Sequence, residues 1–306
     1  MARSRLTPFG LAFALLLAGC AVTDADLTRW EGTQRGPSKL YAVVTHGKYS
    51  YDLRSKAVMS IIRMPARGGT RIGISLLTQR HKDEEGNDVE GALVALGDEE
   101  RQKIVAGIVP ELVKEIEAPP PARLPDGGLQ HDPSIPYKDV AFALLSNQPP
   151  LVTDPDSKAK LEAALATWVQ SGFQDRIENS SQQYGVEQML RYLGPKAAKS
   201  LPDLIKDDTS RVDRVVGLAN DVGDAETKAK AAAALVKLAQ TIESAEWTAA
   251  QTKVVTEHNA KSKTQASPEQ VQGQVEKIRE RRFTDEIFPS MKKVGGDRHV
   301  IDYLLA

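Results

Sequence analysis

Apolar residues recur at helical spacing along most of the chain. The acidic run Asp98, Glu99 and Glu100 suits a helix N-terminus. The stripe that follows it consists of Val105, Ile108, Val109, Leu112 and Ile116, which share one helical face. The spacing i, i+3, i+4, i+7 returns in residues 161–168, 186–193, 212–219 and 235–242. The pattern therefore predicts a succession of amphipathic helices.

Helix-capping residues mark a further helix near the C-terminus. Ser267 is followed by Pro268 and, three residues after the serine, by Gln270. A serine N-cap, a proline in the first turn and a glutamine at the third position form a capping box. Residues 283–306 then predict a helix, a turn at Gly295 and Gly296, and a second short helix.

No segment shows a convincing strand pattern. Residues 71–77 alternate in part, but Gly73 interrupts them and no hairpin partner is evident, so we expect a helix or turn there. Residues 118–136 are rich in proline and glycine and predict a long loop. We expect this loop to separate an N-terminal helical half, residues 20–117, from a C-terminal half, residues 137–306.

Composition supports helices and narrows the classes of function. Aromatic residues make up only 5% of the 306 residues, which is unlike a β-sandwich. The formal net charge of −1 lacks the basic excess of a nucleic-acid-binding protein. Cys20 is the single cysteine, so an intramolecular disulfide and a zinc site built on several thiolates are excluded.

The N-terminal segment has the proportions of a secretory signal. Arg3 and Arg5 precede an apolar run, residues 6–17, that is shorter than the roughly 20 residues needed to span a bilayer. Leu17, Ala18, Gly19 and Cys20 end it, and this sequence resembles a bacterial lipobox. The alternative is an ordinary signal peptide whose cleavage site happens to contain cysteine.

The lipobox resemblance implies a cellular location for the protein. Residues 1–19 would be removed, and Cys20 would carry diacylglycerol and become the N-terminus. The residue after the cysteine is alanine, not aspartate, which in this class implies the outer membrane and an orientation toward the periplasm. A helix signal at residues 24–26 leaves only a short tether, so we expect the folded part to lie close to the membrane.

Two turn sequences resemble those of HEAT repeats. Residues 190–201 contain Leu-Gly-Pro-Lys-Ala, and Gly223 and Asp224 precede the alanine-rich stretch 231–235. The chain thus resembles bacterial HEAT-repeat lipoproteins, most clearly over residues 180–242. The resemblance implies an all-α fold built as an α-solenoid of antiparallel helix pairs. An irregular helical bundle is the alternative.

Candidate catalytic chemistry is sparse. The five histidines lack metal-ligand spacing, and the acidic stretch 81–90 does not follow the order of a calcium loop. Ser290 and Lys293 have Ser-x-x-Lys spacing, but the companion motifs of penicillin-recognising enzymes are absent. We therefore predict no catalytic residue, metal or cofactor, and expect a scaffold or adaptor. The alternative is an envelope enzyme, or an enzyme accessory, with dispersed carboxylates.

The expected partners are the membrane, through the lipid on Cys20, and another envelope protein, with no nucleic acid. Candidate protein-binding residues are Arg191, Arg211 and Arg214, because arginine is favoured at interfaces. The basic cluster 277–282 has two interpretations. It contacts anionic headgroups or an acidic partner, or it is the solvent face of a helix whose Val271, Val275 and Ile278 face inward.

The chain ends in apolar residues, Leu304, Leu305 and Ala306, where a solenoid normally has a polar cap. These residues dock back onto the chain, or the protein is a shortened relative of a longer repeat protein, or a second copy covers them. The last alternative predicts self-association through the apolar C-terminal end.

Overall fold

The computed structural model describes residues 22–177, 182–209, 211–261 and 266–306. Helices account for 68% of the structure and strands for 2%, which confirms the predicted all-α class. The predicted lipobox, Leu17, Ala18, Gly19 and Cys20, lies outside the described residues. In the ranges given above, no helix is both long enough and apolar enough to cross a membrane.

The fold divides into two compact units. The first comprises Met1–Glu115 and Pro136–Leu161, and the second comprises Ile116–Ile135 and Glu162–Ala306. The sequence pattern suggested two consecutive halves separated by a loop. The units are instead interleaved along the chain, because the Pro/Gly-rich segment belongs to the second unit.

Seven helices and one hairpin are described up to residue 171. They are α1 (Asp24–Glu31), α2 (Gly36–Thr45), α3 (Tyr51–Arg63), α4 (Gly73–Thr78), β1 (His81–Lys82), β2 (Asp88–Val89), α5 (Asp98–Ile116), α6 (Ile135–Ser146) and α7 (Pro155–Ser171). The start of α1 agrees with the sequence, since Thr23 forms a capping box with Asp26. The predicted stripe of α5 is confirmed, because all five of its members are buried.

Helix α3 organises the first unit. It packs against α1, α2 and α4, and Ser50 caps its first turn by accepting a hydrogen bond from the Leu53 amide. Arg54 is buried on α3, where its Nε donates to the Val44 carbonyl at 2.8 Å and its Nη1 lies 3.2 Å from Glu100. This arginine therefore links α3 to both α2 and α5.

The short hairpin corrects the expectation that the chain has no strand. His81 pairs with Val89 and Lys82 with Asp88 in antiparallel register. The Asp83 carboxylate accepts the backbone amides of Glu85 and Asn87, and Gly86 has a φ of 86°, which favours glycine. Two-residue strands are too short to produce an alternating pattern, so the sequence showed only an acidic loop.

The second unit contains the remaining helices. They are α8 (Phe173–Ile177), α9 (Val186–Leu193), α10 (Pro195–Ala198), a 3-10 helix (Leu201–Leu204), α11 (Val212–Val222), α12 (Ala225–Glu243), α13 (Ala245–Lys261), α14 (Pro268–Arg281), a π-helical turn (Arg282–Ile287), α15 (Phe288–Val294) and α16 (Arg298–Leu305). The helices predicted from residues 186–193, 212–219 and 235–242 are all present. Ser267 caps α14 through the predicted capping box.

Consecutive long helices of the second unit pack on one another. Helix α11 packs on α12, α12 on α13, and α13 on α14. The π-helical turn continues α14 into α15, and α15 packs on α11. Ala231, Ala232 and Ala239 are buried on α12, and their small side chains allow close approach of neighbouring helices.

The Pro/Gly-rich segment is fastened to the second unit by a buried polar network. Arg176 on α8 donates from Nε to the Asp132 carboxylate at 2.9 Å, and both side chains are buried. The same carboxylate accepts the Ser134 amide and hydroxyl. Ser134 in turn accepts the Trp168 indole N–H at 2.7 Å, and the Arg176 guanidinium lies 4.3 Å from the Trp168 ring centroid.

Candidate functional site

The predicted binding arginines lie on α9 and at the start of α11. Arg214 on α11 donates to Glu187 on α9 at 2.6 Å, and Arg191 on α9 lies 3.1 Å from Asp221 on α11. Arg211, the residue before α11, lies 3.4 Å from Asp213.

The structure therefore brings these arginines to one helix pair, but each already has an acidic partner there. Exposed pairs of this kind contribute little to stability. A ligand would have to compete with the carboxylates, so the role of Arg191, Arg211 and Arg214 in protein binding stays a prediction.

The exposed face of α16 is apolar. Ile301, Leu304 and Leu305 are 43%, 57% and 81% exposed, and their spacing places them along one side of the helix. Val300, at the start of the helix, is buried, and the Tyr303 hydroxyl donates to Glu243 on α12 at 2.9 Å. Docking of Leu304 and Leu305 onto the chain itself is thus not observed, and self-association stays a prediction.

A more developed surface lies between α13 and α14. Val255 on α13 and Val271 and Val275 on α14 are buried in the second unit, where these two helices pack together. Asn259 on α13 is also buried and donates its side-chain amide to Gln274 on α14 at 3.1 Å. The two helices are therefore held together by apolar packing and by hydrogen bonds between side chains.

Arg279 fastens α14 to the turn between α12 and α13. Its Nε donates to the Ile242 carbonyl at 3.2 Å, its Nη2 donates to the Thr248 hydroxyl, and its guanidinium lies 5.5 Å from the Trp247 ring centroid. Arg279 also pairs with Glu276 at 3.1 Å. The side chain of Arg279, a member of the basic cluster 277–282, is consequently bound to partners within the fold.

Arg282, the last member of the basic cluster, is also paired. It contacts Asp207 at 3.3 Å and Glu286 one turn later in the chain. Burial raises the pKa of Glu286 above its usual value, although Arg282 acts in the opposite direction. Arg282 therefore helps to hold the π-helical turn, and the half-buried carboxyl of Glu286 beside it has a cationic partner.

The other basic residues of the cluster border an open groove. A cavity of about 400 Å³ is lined by Val254, Val255, His258, Gln274, Lys277, Ile278 and Arg281. Val254 is 57% exposed at its floor, and Ile278 is half-buried. Neither Lys277 nor Arg281 forms an ion pair with the described residues. We call this surface the α13–α14 groove.

The groove combines an apolar floor with free positive charge. No carboxylate lines it within the described residues. A partner that inserts an apolar side chain and offers an acidic group would satisfy both features, because the basic side chains have no competing partner there.

The alternative of an enzyme with dispersed carboxylates concerns the carboxyl groups of the described ranges. Glu286 is the carboxyl group there whose pKa is raised, and it faces Arg282 rather than a second carboxyl. No group of three or more histidine, cysteine, aspartate or glutamate side chains in these ranges is placed to hold a metal ion.

The sequence pattern predicts the basic cluster 277–282 but not the α13–α14 groove beside it. Val271 and Val275 are buried as predicted, whereas Ile278 lines the groove. The missed signal is the adjacent pair Val254 and Val255, because neighbours in a helix point about 100° apart and only one of them can face the core. The other is then left to solvent or to a partner.

No family model matches the chain, and neither a curated protein nor a solved structure matches it.

Proposed function

We propose that this chain is a lipid-anchored protein of the bacterial cell envelope that binds another envelope protein through its second unit. The observation that carries the binding part is the α13–α14 groove, where exposed Val254 lies beside Lys277 and Arg281, neither of which forms an ion pair with a described residue. Apolar surface rimmed by polar groups is typical of protein–protein contact sites.

The anchoring part rests on the sequence. Leu17, Ala18, Gly19 and Cys20 form the lipobox-like motif, and helix α1 begins at Asp24. A lipid on Cys20 would hold the folded protein close to the periplasmic face of the outer membrane. Anchoring raises the effective concentration of the groove for a partner in the same membrane.

The packing of the second unit supports a bundle more than a solenoid. In a solenoid each helix pair contacts only its neighbours along the stack. Here α15 packs on α11, with α12, α13 and α14 between them in the chain. We propose that residues 212–294 form a closed helical bundle, and that α13 and α14 present the binding surface.

The partner segment that fits the groove is acidic and apolar. Val254 and Ile278 suit an aliphatic or aromatic side chain, while Lys277 and Arg281 suit carboxylates beside it. Crosslinking to phospholipid is the outcome that would instead favour contact with anionic headgroups. A buried apolar anchor with charged neighbours is the usual arrangement of a binding hot spot.

Photocrosslinking in intact host cells tests this function. A photoreactive residue is placed at Val254 in the full chain, and crosslinked products are identified by mass spectrometry. We expect one predominant envelope protein, with a yield that falls at least fivefold in Lys277→Glu/Arg281→Glu. The matched control, Lys228→Glu/Lys292→Glu, carries the same charge change on exposed residues outside the groove and should crosslink normally.

The anchor is tested in the same cells. Cys20→Ala should reduce the yield, because the protein would no longer be concentrated at the membrane. Crosslinks predominantly to phospholipid would contradict a protein partner. A yield equal in the charge-reversed protein and the control would contradict the groove as the binding surface.

A further inference from the structure

A cavity of the first unit lies between α2, α4 and the hairpin. Its volume is about 550 Å³, within the range of small-molecule sites. Pro37 and Tyr41 line it from α2, Ser75 and Leu76 from α4, and Val89 from β2. We call this cavity the hairpin cleft.

The walls of the hairpin cleft are largely apolar. His81 and Val89 are directly opposed in the hairpin register, so their side chains lie on the same face of the ribbon, and both line the cleft. The Tyr41 and His81 rings meet edge to face with centroids 5.9 Å apart. Ile72 and Val89 are only half-buried, so apolar surface remains open to a ligand.

Hydrogen bonds hold the cleft open in one geometry. The Ser38 hydroxyl on α2 donates to Glu84 in the hairpin turn at 2.7 Å, and the Tyr41 hydroxyl donates to the Glu90 carbonyl at 3.0 Å. After the hairpin, the Ala92 amide donates to the Leu76 carbonyl of α4 at 2.7 Å. Both ends of the hairpin are thus fixed, and a preformed cleft lowers the entropic cost of binding.

The cleft is bordered by negative charge. Asp83, Glu84 and Glu85 line it from the hairpin turn. A hydrogen bond from the Asn87 side chain and bonds from neighbouring backbone amides lower the pKa of Asp83, although slight desolvation opposes them. The one ammonium group lining the cleft, that of Lys82, is already bound by Asp88 at 3.1 Å and by the Gly86 carbonyl at 3.2 Å.

We propose that the hairpin cleft binds a small organic cation with an apolar body, such as an aromatic or aliphatic amine. The apolar walls take the body of the ligand, and the carboxylates at the hairpin turn attract its ammonium group. This site is in the first unit and is argued from other residues than the α13–α14 groove. The proposal does not depend on the proposed function, and either one can be contradicted without the other.

Two matched probes test the charge preference. The full chain in detergent micelles is titrated with 4-phenylbutylamine and with 4-phenylbutyrate, each corrected for protein-free micelles, by isothermal calorimetry. Each carboxylate about 7 Å from the ammonium changes the affinity by about threefold in a water-like medium. We therefore expect the amine to bind at least tenfold more tightly than the carboxylate at low salt, and expect salt to reduce the difference.

Substitutions then locate the site. Glu84→Gln/Glu85→Gln removes two exposed charges and should weaken amine binding by about sevenfold to tenfold, at about threefold for each carboxylate. The control Glu246→Gln/Glu257→Gln removes two exposed charges from α13 and should leave the affinity unchanged. Ser75→Phe fills the cleft and should abolish binding of both probes.

Three results would overturn the proposal. These are no binding of the amine at millimolar concentration, equal affinities for the two probes, and an affinity that is the same in Glu84→Gln/Glu85→Gln and in the control. If Ser75→Phe does not fold, the exposed Glu84→Gln/Glu85→Gln pair still decides the question. Unchanged binding in a folded Ser75→Phe variant would also place the site elsewhere.

Discussion

Replacing Asp132 with asparagine is expected to destabilise the second unit strongly. Asp132 and Arg176 are 4% and 2% exposed, and their ion pair ties the Pro/Gly-rich segment to α8. Asparagine has nearly the same shape, so the substitution removes the charge while creating almost no cavity. The Arg176 guanidinium would then be buried without its counter-charge.

The size of the loss follows from this burial. Removing one partner of a buried ion pair costs about 3–5 kcal/mol, because the remaining charge stays desolvated. Arg176 keeps other acceptors, among them the Trp168 carbonyl and the Ser171 hydroxyl. We therefore expect the lower part of this range, about 3 kcal/mol.

The matched control is Asp126→Asn in the same segment. Asp126 is exposed and accepts the nearby Gly128 amide at 2.9 Å. Its substitution should change stability by no more than about 0.5 kcal/mol. Urea unfolding followed by the fluorescence of buried Trp168, with hydrogen exchange of residues 116–134, measures both variants.

The effect should also depend on pH. Burial raises the pKa of Asp132, but hydrogen bonds from Ser134 and the Arg176 charge outweigh it and hold the folded pKa below the usual value. The stabilisation is therefore complete above the unfolded pKa of about 3.9 and is lost as the pH falls through the folded pKa. The difference from Asp132→Asn should shrink in acid. A variant within about 0.5 kcal/mol of wild type at pH 7 would refute this reasoning.

Three further predictions concern other parts of the fold. Ser267→Ala should destabilise α14 by about 1 kcal/mol in urea unfolding, because the N-cap bond to the Gln270 amide is lost; no change would mean that the capping box is not formed. Gly91→Ala should cost the first unit about 1–3 kcal/mol, since a Cβ would lie 2.6 Å from the Leu77 backbone carbon; wild-type stability would contradict that approach. Leu304→Ser should weaken any self-association about tenfold in sedimentation, a loss of about 1.4 kcal/mol, and an unchanged dimer would exclude α16 as its interface.

Local features of this fold could be predicted from the sequence. The helical stripe of α5 and the capping box of Ser267 depend on residues within a few turns of each other, and both are confirmed. The turn at Gly295, which has a φ of 71°, is equally local. Such features follow from helical periodicity and from backbone hydrogen bonding near the residue itself.

Long-range contacts could not be predicted. The Asp132–Arg176 pair joins residues 44 positions apart, and nothing near either residue indicates its partner. The hairpin of β1 and β2 is held to α2 by Ser38 and Tyr41, which lie more than 40 residues away from their acceptors. For the same reason the hairpin cleft could not be predicted from the sequence.

The sequence indicates the region of the candidate binding surface but not all of its residues. The basic cluster 277–282 is evident from its charge. Which of its side chains lack an ion-pair partner depends on tertiary contacts. Arg279 and Arg282 are bound inside the fold, while Lys277 and Arg281 border the α13–α14 groove. Charge density alone therefore located the region and not the residues that a partner would meet.

The lipid anchor on Cys20 is the claim on which the proposed location depends. The most direct test is mass spectrometry of the N-terminal peptide of the full chain purified from membranes of its host. We predict a peptide that begins at Cys20 and carries the mass of a diacylglyceryl group, and we predict that Cys20→Ala abolishes it. A chain that retains residues 1–19, or an N-terminus without lipid, would contradict the account.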